Sequence, residues 1–260
     1  MGRTYLDDIV AAHRRMTDDR PWRSRLDGAP YAGPSFKGAL RRDTVQVIAE
    51  VKRRSPSKGP LALDLDPAAL ARAYADGGAA AISVLTDEEF FGGSLDDLRV
   101  VRSTVDRPIL RKDFTIAEND VLDARDVGAA AVLLIVSVLS DELLAQLIEL
   151  AAACGLDSLV EVHDEIESAR ALAAGASIVG VNQRDLRSFE VDPERALRIG
   201  SSLPPAVITV AESGLSSVAD VERVAAGGFD AVLVGETFVR SASPAALVAE
   251  FAAVRRSPRA

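Results

Sequence analysis

A single cysteine, Cys154, stands in the 260-residue chain, so no internal disulfide can form and the composition fits a reducing compartment. Its apolar setting, Leu150 to Leu156, marks it as core filling. Histidine is nearly as scarce. His13 and His163 lie far apart, and His163-Asp164-Glu165 lacks a second imidazole, so no metal-ligand spacing is present and no metal is expected. Basic charge is in deficit, with 30 Lys+Arg against 39 Asp+Glu and no basic run longer than a few residues. That balance argues against nucleic acid and membrane surfaces as partners; a small anionic substrate would need local positive charge. No apolar run reaches membrane-spanning length. The opening stretch MGRTYLDDIVAAHRRM is too charged for a signal peptide, and Leu6 stands where a myristoylation signal needs Ser or Thr. A cytoplasmic protein is expected. No Gly-x-Gly-x-x-Gly turn follows any candidate strand, which removes the usual sign of a dinucleotide site.

What is present begins with Val45 to Pro60, VQVIAEVKRRSPSKGP. As a strand of period two it sends Val47, Ala49 and Val51 to one face and Ile48, Glu50 and Lys52 to the other. The second face puts a carboxylate and an ammonium side by side just before a loop rich in Ser, Pro and Gly. A solvated edge strand would carry such a pair equally well.

After Val45 the chain alternates between short β-branched runs and Ala/Leu/Glu-rich helical stretches. The strands read as Val45 to Val51, Ala81 to Leu85, Pro108 to Lys112, Ala131 to Val136, Ser158 to Val162, Ile178 to Asn182, Val207 to Glu212 and Ala231 to Gly235. Eight βα units in unbroken order predict a parallel sheet closed as a TIM (β/α)8 barrel, with an open doubly wound sheet as the alternative. Similar segments beginning at Gly78, Gly128, Gly175 and Gly228 recur at intervals of about fifty residues, two βα units each. Each reads as a helix-ending glycine, a short turn and an even-numbered strand, although alanine bias alone would also produce resemblance. Residues 1–44, with an amphipathic helix from Tyr5 to Met16 and Trp22, Tyr31 and Phe36 available for packing, read as an extension on a barrel domain of residues 45–260.

In such a barrel alternate residues point inward and the site lies at the carboxyl ends of the strands. Odd strands end in Glu50 and Lys52, Lys112, Glu161 and Glu212, above inward Ile48, Leu110, Leu159 and Val210; the sixth ends in Asn182 with Arg184 beyond. Three carboxylates among three cations could be a structural ion network, but apolar residues would fill those positions at lower cost. Crowding there is expected to make a lysine release its proton more readily and a glutamate hold one longer. Ser213 and Gly214 after strand seven, and Gly235 and Glu236 after strand eight, suit a phosphate approached by backbone N–H groups, or else only tight turns.

Taken with these residues, the stretch Ile48 to Gly59 resembles the strand-one signature of indole-3-glycerol-phosphate synthase. Ordered likenesses continue at Leu85-Thr86-Asp87, Phe90 to Ser94, Leu110 to Phe114, Leu159 to His163, Asn182 to Leu186, Ala211 to Gly214 and Val234-Gly235-Glu236. The resemblance spans the extension through the last strand. It implies ring closure with decarboxylation and dehydration of 1-(2-carboxyphenylamino)-1-deoxyribulose 5-phosphate, without a cofactor. Lys112 would be the general acid, Glu161 would serve the dehydration, and Glu50 with Lys52 would manage proton transfer and developing charge. Asn182 and Arg184 would orient polar groups with Glu212 nearby; Ser55, Ser213, Gly214, Gly235 and the Glu236 backbone would hold the phosphate; Phe91 and Phe114 would wall the anthranilate ring. A monomer is expected, with association with other tryptophan-pathway enzymes left open.

The competing readings are a Schiff-base aldolase using Lys52 or Lys112, a sugar-phosphate isomerase, and a barrel kept as a non-catalytic scaffold. Phosphoribosylanthranilate isomerase is disfavoured because the cysteine and aspartate pair associated with it is missing.

Overall fold

The β-branched runs form strands because each residue of a run has an apolar place to go on one of two faces. In the computed structural model, which describes residues 5–18, 28–56, 58–185 and 188–259, the barrel strands are β1 (Gln46–Val51), β2 (Ala81–Leu85), β3 (Ile109–Lys112), β4 (Ala131–Ile135), β5 (Asp157–Val162), β6 (Ile178–Asn182), β7 (Ile208–Glu212) and β8 (Ala231–Val234). All neighbours pair in parallel, and β1 lies between β2 (Ile48 beside Ala81) and β8 (Gln46 beside Ala231). The first strand therefore meets the last, and the expected closed barrel, not the open sheet, is the fold. Boundaries differ from the sequence reading by one residue. Pro108 has no N–H for the ladder, so β3 opens at Ile109, and Val136 turns into a short 3₁₀ segment, Val136–Val138.

Two apolar layers follow from the alternation. Val47, Ala49 and Val51 join the layer between strands and helices, with Tyr74, Leu98, Leu122 and Phe251. Ile48, Leu110, Leu159 and Val210 join the barrel interior with Leu133, Ile178, Ile208 and Leu233. Each such side chain stabilises the fold by about 1.5–3 kcal/mol when fully buried. The next inward positions up hold Glu50, Lys112, Glu161 and Glu212 and forgo that gain.

The four repeated glycines share one geometry. Gly78, Gly128, Gly175 and Gly228 have φ of 88, 82, 90 and 81°. The amide after each bonds back five residues, as from Ala79 N to Tyr74 O at 3.0 Å and from Ala129 N to Ala124 O at 2.9 Å. This is a Schellman ending, in which a left-handed residue reverses the chain toward the next strand. Gly155 (φ 75°) makes the same turn before β5, with Leu156 N bonded to Ala151 O, so the device is not confined to even strands.

Both barrel ends are covered. The helix Tyr5–Asp18 buries Leu6, Ile9 and Val10 in the same cluster as Phe114 at the carboxyl end. At the other end Phe36 and Leu40 are fully buried in that interior cluster, and Lys37 N donates to Asp157 Oδ2 at the start of β5 (2.8 Å). Trp22, expected to anchor the extension, lies outside the described residues. Among the described residues no helix is long and apolar enough to cross a membrane.

Candidate active site

At the carboxyl ends of the strands, a cavity of about 620 Å³ collects the charged headgroups and an apolar wall. Glu50, Lys52, Lys112, Glu161, Asn182, Arg184 and Glu212 all line it, with Ser55, Phe91, Phe114, Ser213, Gly214, Gly235 and Glu236. The arrangement follows from strand parity. Glu161 sits beside Ile135 and Gly180 in register, and Glu212 beside Asn182 and Leu233, so one ring of inward positions carries the charge.

Lys112 Nζ lies 3.4 Å from Glu161 Oε2 and 3.7 Å from Glu212 Oε2. Asn182 Nδ2 donates to Glu161 Oε1 at 3.1 Å, and Asn182 Oδ1 accepts from Arg184 N at 3.0 Å. Lys52 Nζ is 2.7 Å from Glu50 Oε1, and Ser83 Oγ donates to Glu50 Oε2 at 3.4 Å. Lys52 is thus committed to Glu50, while Lys112 stands among carboxylates.

This arrangement reverses part of the expected electrostatics. Burial alone would lower the Lys112 pKa, but Glu161, Glu212 and Glu50 outweigh it and hold the ammonium charged. The anticipated acidic lysine is corrected: carboxylates, not other cations, are its near neighbours. Burial pushes Glu161 upward, yet Lys112, His163 and Asn182 together bring it below the ordinary carboxylate range. Glu212 moves the other way, because burial and the Glu161 charge both favour its protonated form. The glutamate that holds its proton is therefore Glu212, and Glu161 rests as the anion.

The other end of the cavity is shaped by backbone. Ser213 and Gly214 are consecutive left-handed residues (φ 65 and 71°), and a Cβ on Gly214 would stand 2.5 Å from Val191 Cγ1. Gln183 is fully buried and turned away from the cavity, its Nε2 donating to Ser213 O at 2.7 Å. Glu236 opens the short helix Glu236–Val239 with its carboxylate directed at Arg240 (3.2 Å). Its charge is thus paired with a guanidinium, Arg240, that also lines the cavity. Ser55 lies in a small hairpin, Arg54–Ser55 against Gly59–Pro60, steadied by Arg53, which grips Asp97 at 2.5 and 2.9 Å. The aromatic wall is the Phe91–Phe114 pair, centroids 6.3 Å apart; Asp87 caps the helix that carries Phe91.

Several participants escaped the sequence reading. Gly180 and Gly235 leave room for charge: a Cβ at Gly180 would stand 2.0 Å from Glu212 Oε1, and one at Gly235 2.5 Å from Glu50 Oε1. Gly235 was expected either to let a phosphate approach or only to permit a tight turn, and it also makes room for Glu50. A glycine inside the apolar run of β6 was the available signal, since glycine in a strand marks close approach. Ser83 gave none. Nor did sequence spacing suggest that His13, Asp87 and Asp113 would bring donor atoms within 4.8 Å of one another. Asp113 accepts from Arg111, Thr86 and Phe114 N, and Asp87 from Phe90 N and Phe91 N, so these carboxylates already brace the strand ends.

A closed (β/α)8 barrel with opposed carboxylates and lysines at its carboxyl-end mouth defines the broad class, a barrel enzyme built for acid–base chemistry. A family model described as Indole-3-glycerol phosphate synthase matches residues 9–251. Relatives bearing that name include one from Mycolicibacterium smegmatis, 51% identical over 98% of this chain and 96% of its own length. Another, from Streptomyces griseus, is 47% identical over 98% and 97%. The chain belongs to the indole-3-glycerol phosphate synthase family. Solved structures share the fold at low identity. Thiamine phosphate pyrophosphorylase from Pyrococcus furiosus has a TM-score of 0.62 at 18% identity, covering 80% of this chain and 94% of that one. N-acetylmannosamine-6-phosphate 2-epimerase from Clostridium perfringens has a TM-score of 0.62 at 14% identity, covering 81% and 93%.

Proposed function

We propose that this chain is a carbon–carbon lyase of tryptophan biosynthesis that converts 1-(2-carboxyphenylamino)-1-deoxyribulose 5-phosphate to indole-3-glycerol phosphate, carbon dioxide and water. The observation that carries the reading is the placement of Lys112, charged and flanked by Glu161 and Glu212, in one cavity with the Phe91–Phe114 wall. Attack of an aryl carbon on a ketone needs an acid beside the oxygen, and a flexible phosphorylated chain must be folded into a reactive pose. Lys112 gives its proton to the ketone oxygen as the ring carbon bonds, and loss of carbon dioxide from that carbon restores the aromatic ring. Water then leaves and a proton is removed; Glu161, resting as the anion, serves this step, with Glu50 and Lys52 supplying the companion proton and charge. Asn182 and Arg184 orient polar groups, and Glu212 holds a proton close to both. Ser55, Ser213, Gly214, Gly235 and the Glu236 backbone receive the phosphate.

A Schiff-base aldolase would need a neutral amine, and the carboxylates around Lys112 oppose that. The single cysteine, Cys154, is buried and free, which suits a reducing compartment, and we read the protein as a cytoplasmic monomer acting on a small phosphorylated substrate. Incubation of the protein with the carboxyphenylamino ribulose phosphate, followed by indole fluorescence, tests the activity directly. Lys112→Ala lowers turnover by at least roughly a hundredfold, the scale of a positioned general acid. A loss below about tenfold removes Lys112 from that role, and an imine trapped by borohydride would favour the aldolase.

A further inference from the structure

His163 stands just beyond the end of β5, two residues after Glu161, and is mostly buried, its side chain 12% exposed. Its ring is fixed from behind. Glu167, on the helix Glu165–Ala173, places Oε2 3.0 Å from His163 Nδ1 and accepts the His163 backbone N–H with the same oxygen at 2.8 Å. The opposite nitrogen, Nε2, lies 3.4 Å from Glu161 Oε1, the oxygen that also accepts from Asn182. The order is carboxylate, imidazole, carboxylate, running from the outer helix to the reacting layer, with Lys112 on the far side of Glu161.

We propose that His163 is a positioning residue for the reaction: held by Glu167, it presents a cationic N–H to Glu161 and keeps that carboxylate ionised and aimed into the cavity. The inference rests on the role given to Glu161 above. Three properties of the arrangement support it. An imidazole bonded through one nitrogen has its ring plane and the direction of the other nitrogen fixed, as in the carboxylate–histidine pairs that orient reacting groups elsewhere. The charged groups facing the ring are both carboxylates, Glu161 from β5 and Glu167 from the helix; against the cost of burial they push its pKa up to about 10, so the ring is a cation at neutral pH. Glu161 would otherwise face Glu212 with only Lys112 shared between them, and two neighbouring carboxylates do not both stay ionised without further positive charge. The second cation decides which of them keeps the proton. His163 does not line the cavity itself, so it acts through Glu161.

The test combines ring NMR with a double-mutant cycle on turnover of the carboxyphenylamino ribulose phosphate. With only two histidines in the chain, the ring signals are assigned by one variant, His13→Asn. The His163 ring stays protonated at pH 8.5, and both Glu161→Gln and Glu167→Gln lower its titration by about one unit or more, the usual effect of removing an opposite charge at this range. A ring that is neutral at that pH in the unaltered protein overturns the proposal. In kinetics, His163→Gln, which keeps an N–H donor and discards the charge, lowers kcat by about tenfold or more while KM changes little. The same substitution placed on Glu161→Gln has no further effect, because its whole influence runs through that carboxylate. Equal losses in the two backgrounds mean a packing role only and overturn it. If His163→Gln does not fold, Glu167→Gln, which preserves the accepting oxygen, takes its place in the cycle with the same two outcomes. Absence of turnover in the unaltered protein would instead count against the proposed activity, which the ring titration does not need.

Discussion

Gly180 faces Glu212 across adjacent strands, so closely that a Cβ on Gly180 would stand 2.0 Å from Glu212 Oε1 and 3.2 Å from Leu159 Cδ1. The even strand gives up a side chain so that the odd strand can place a carboxylate at the barrel axis. Lys112 in turn takes its position from that carboxylate and from Glu161.

Gly180→Ala therefore forces the Glu212 headgroup aside. The main chain has little reason to move, since the obstructing atom is the end of a side chain, and the stability cost is the ordinary 1–3 kcal/mol or so of overpacking. The chemical cost is larger in proportion. Displaced Glu212 no longer holds its proton beside Glu161, and turnover falls by about tenfold or more with KM changed less. Steady-state kinetics beside a denaturant melt separates the two effects; a melt that shifts while kcat holds would show the gap at Gly180 to be mere packing.

How far the site was legible in the chain is clear from particular positions. Period two in VQVIAEVK told which face Glu50 would take, and the same parity at Lys112, Glu161 and Glu212 brought all four to one layer, because strand alternation is set by backbone geometry and survives folding unchanged. Pairing among the charges was not legible. Lys52 is drawn to Glu50 at 2.7 Å, which leaves Lys112 to the other two carboxylates and raises its pKa where counting charges suggested a fall. Contacts across the barrel axis depend on register between strands, which no single segment encodes. The link from Glu167 through His163 to Glu161 was hidden for a related reason: its outer member comes from the following helix, whose docking sets the distance.

His13 binds the N-terminal helix to the barrel through charge, its ring 4.0 Å from Asp113 Oδ1 and 3.6 Å from Asp120 Oδ1. Burial lowers its pKa, but the Asp120 hydrogen bond and the two carboxylate charges raise it above the ordinary imidazole value, with Arg111 opposing. A raised folded-state pKa means the protonated ring stabilises the docked helix fully below about pH 6.5, and this is lost as pH rises through the folded value. Leu6 and Ile9 on that helix line the cavity. Raising the pH beyond that value should increase protease cleavage within residues 5–18 and raise KM together, and His13→Ala should abolish the pH dependence of both. Cleavage that is flat with pH in the unaltered protein would rule the latch out.

Glu212 leaves a signature in stability as well as in rate. Its carboxyl is held protonated in the fold by burial and by the Glu161 charge, while in the unfolded chain it ionises near the ordinary carboxylate value. Between those two values the folded state binds more protons than the unfolded one, so stability from this group declines as pH rises through the window, and the decline ends above the folded value. Glu212→Gln keeps the shape and cannot ionise. Its melting temperature should overtake that of the unaltered protein progressively as pH climbs above the carboxylate range, and the two curves should run parallel again once Glu212 has ionised in the fold. The same variant has lost the proton store beside Glu161 and Lys112, so its kcat should fall at every pH in that range. Melting curves that stay parallel from acid to alkaline pH would mean that Glu212 ionises in the fold as readily as in water, and the division of proton between Glu161 and Glu212 would have to be abandoned.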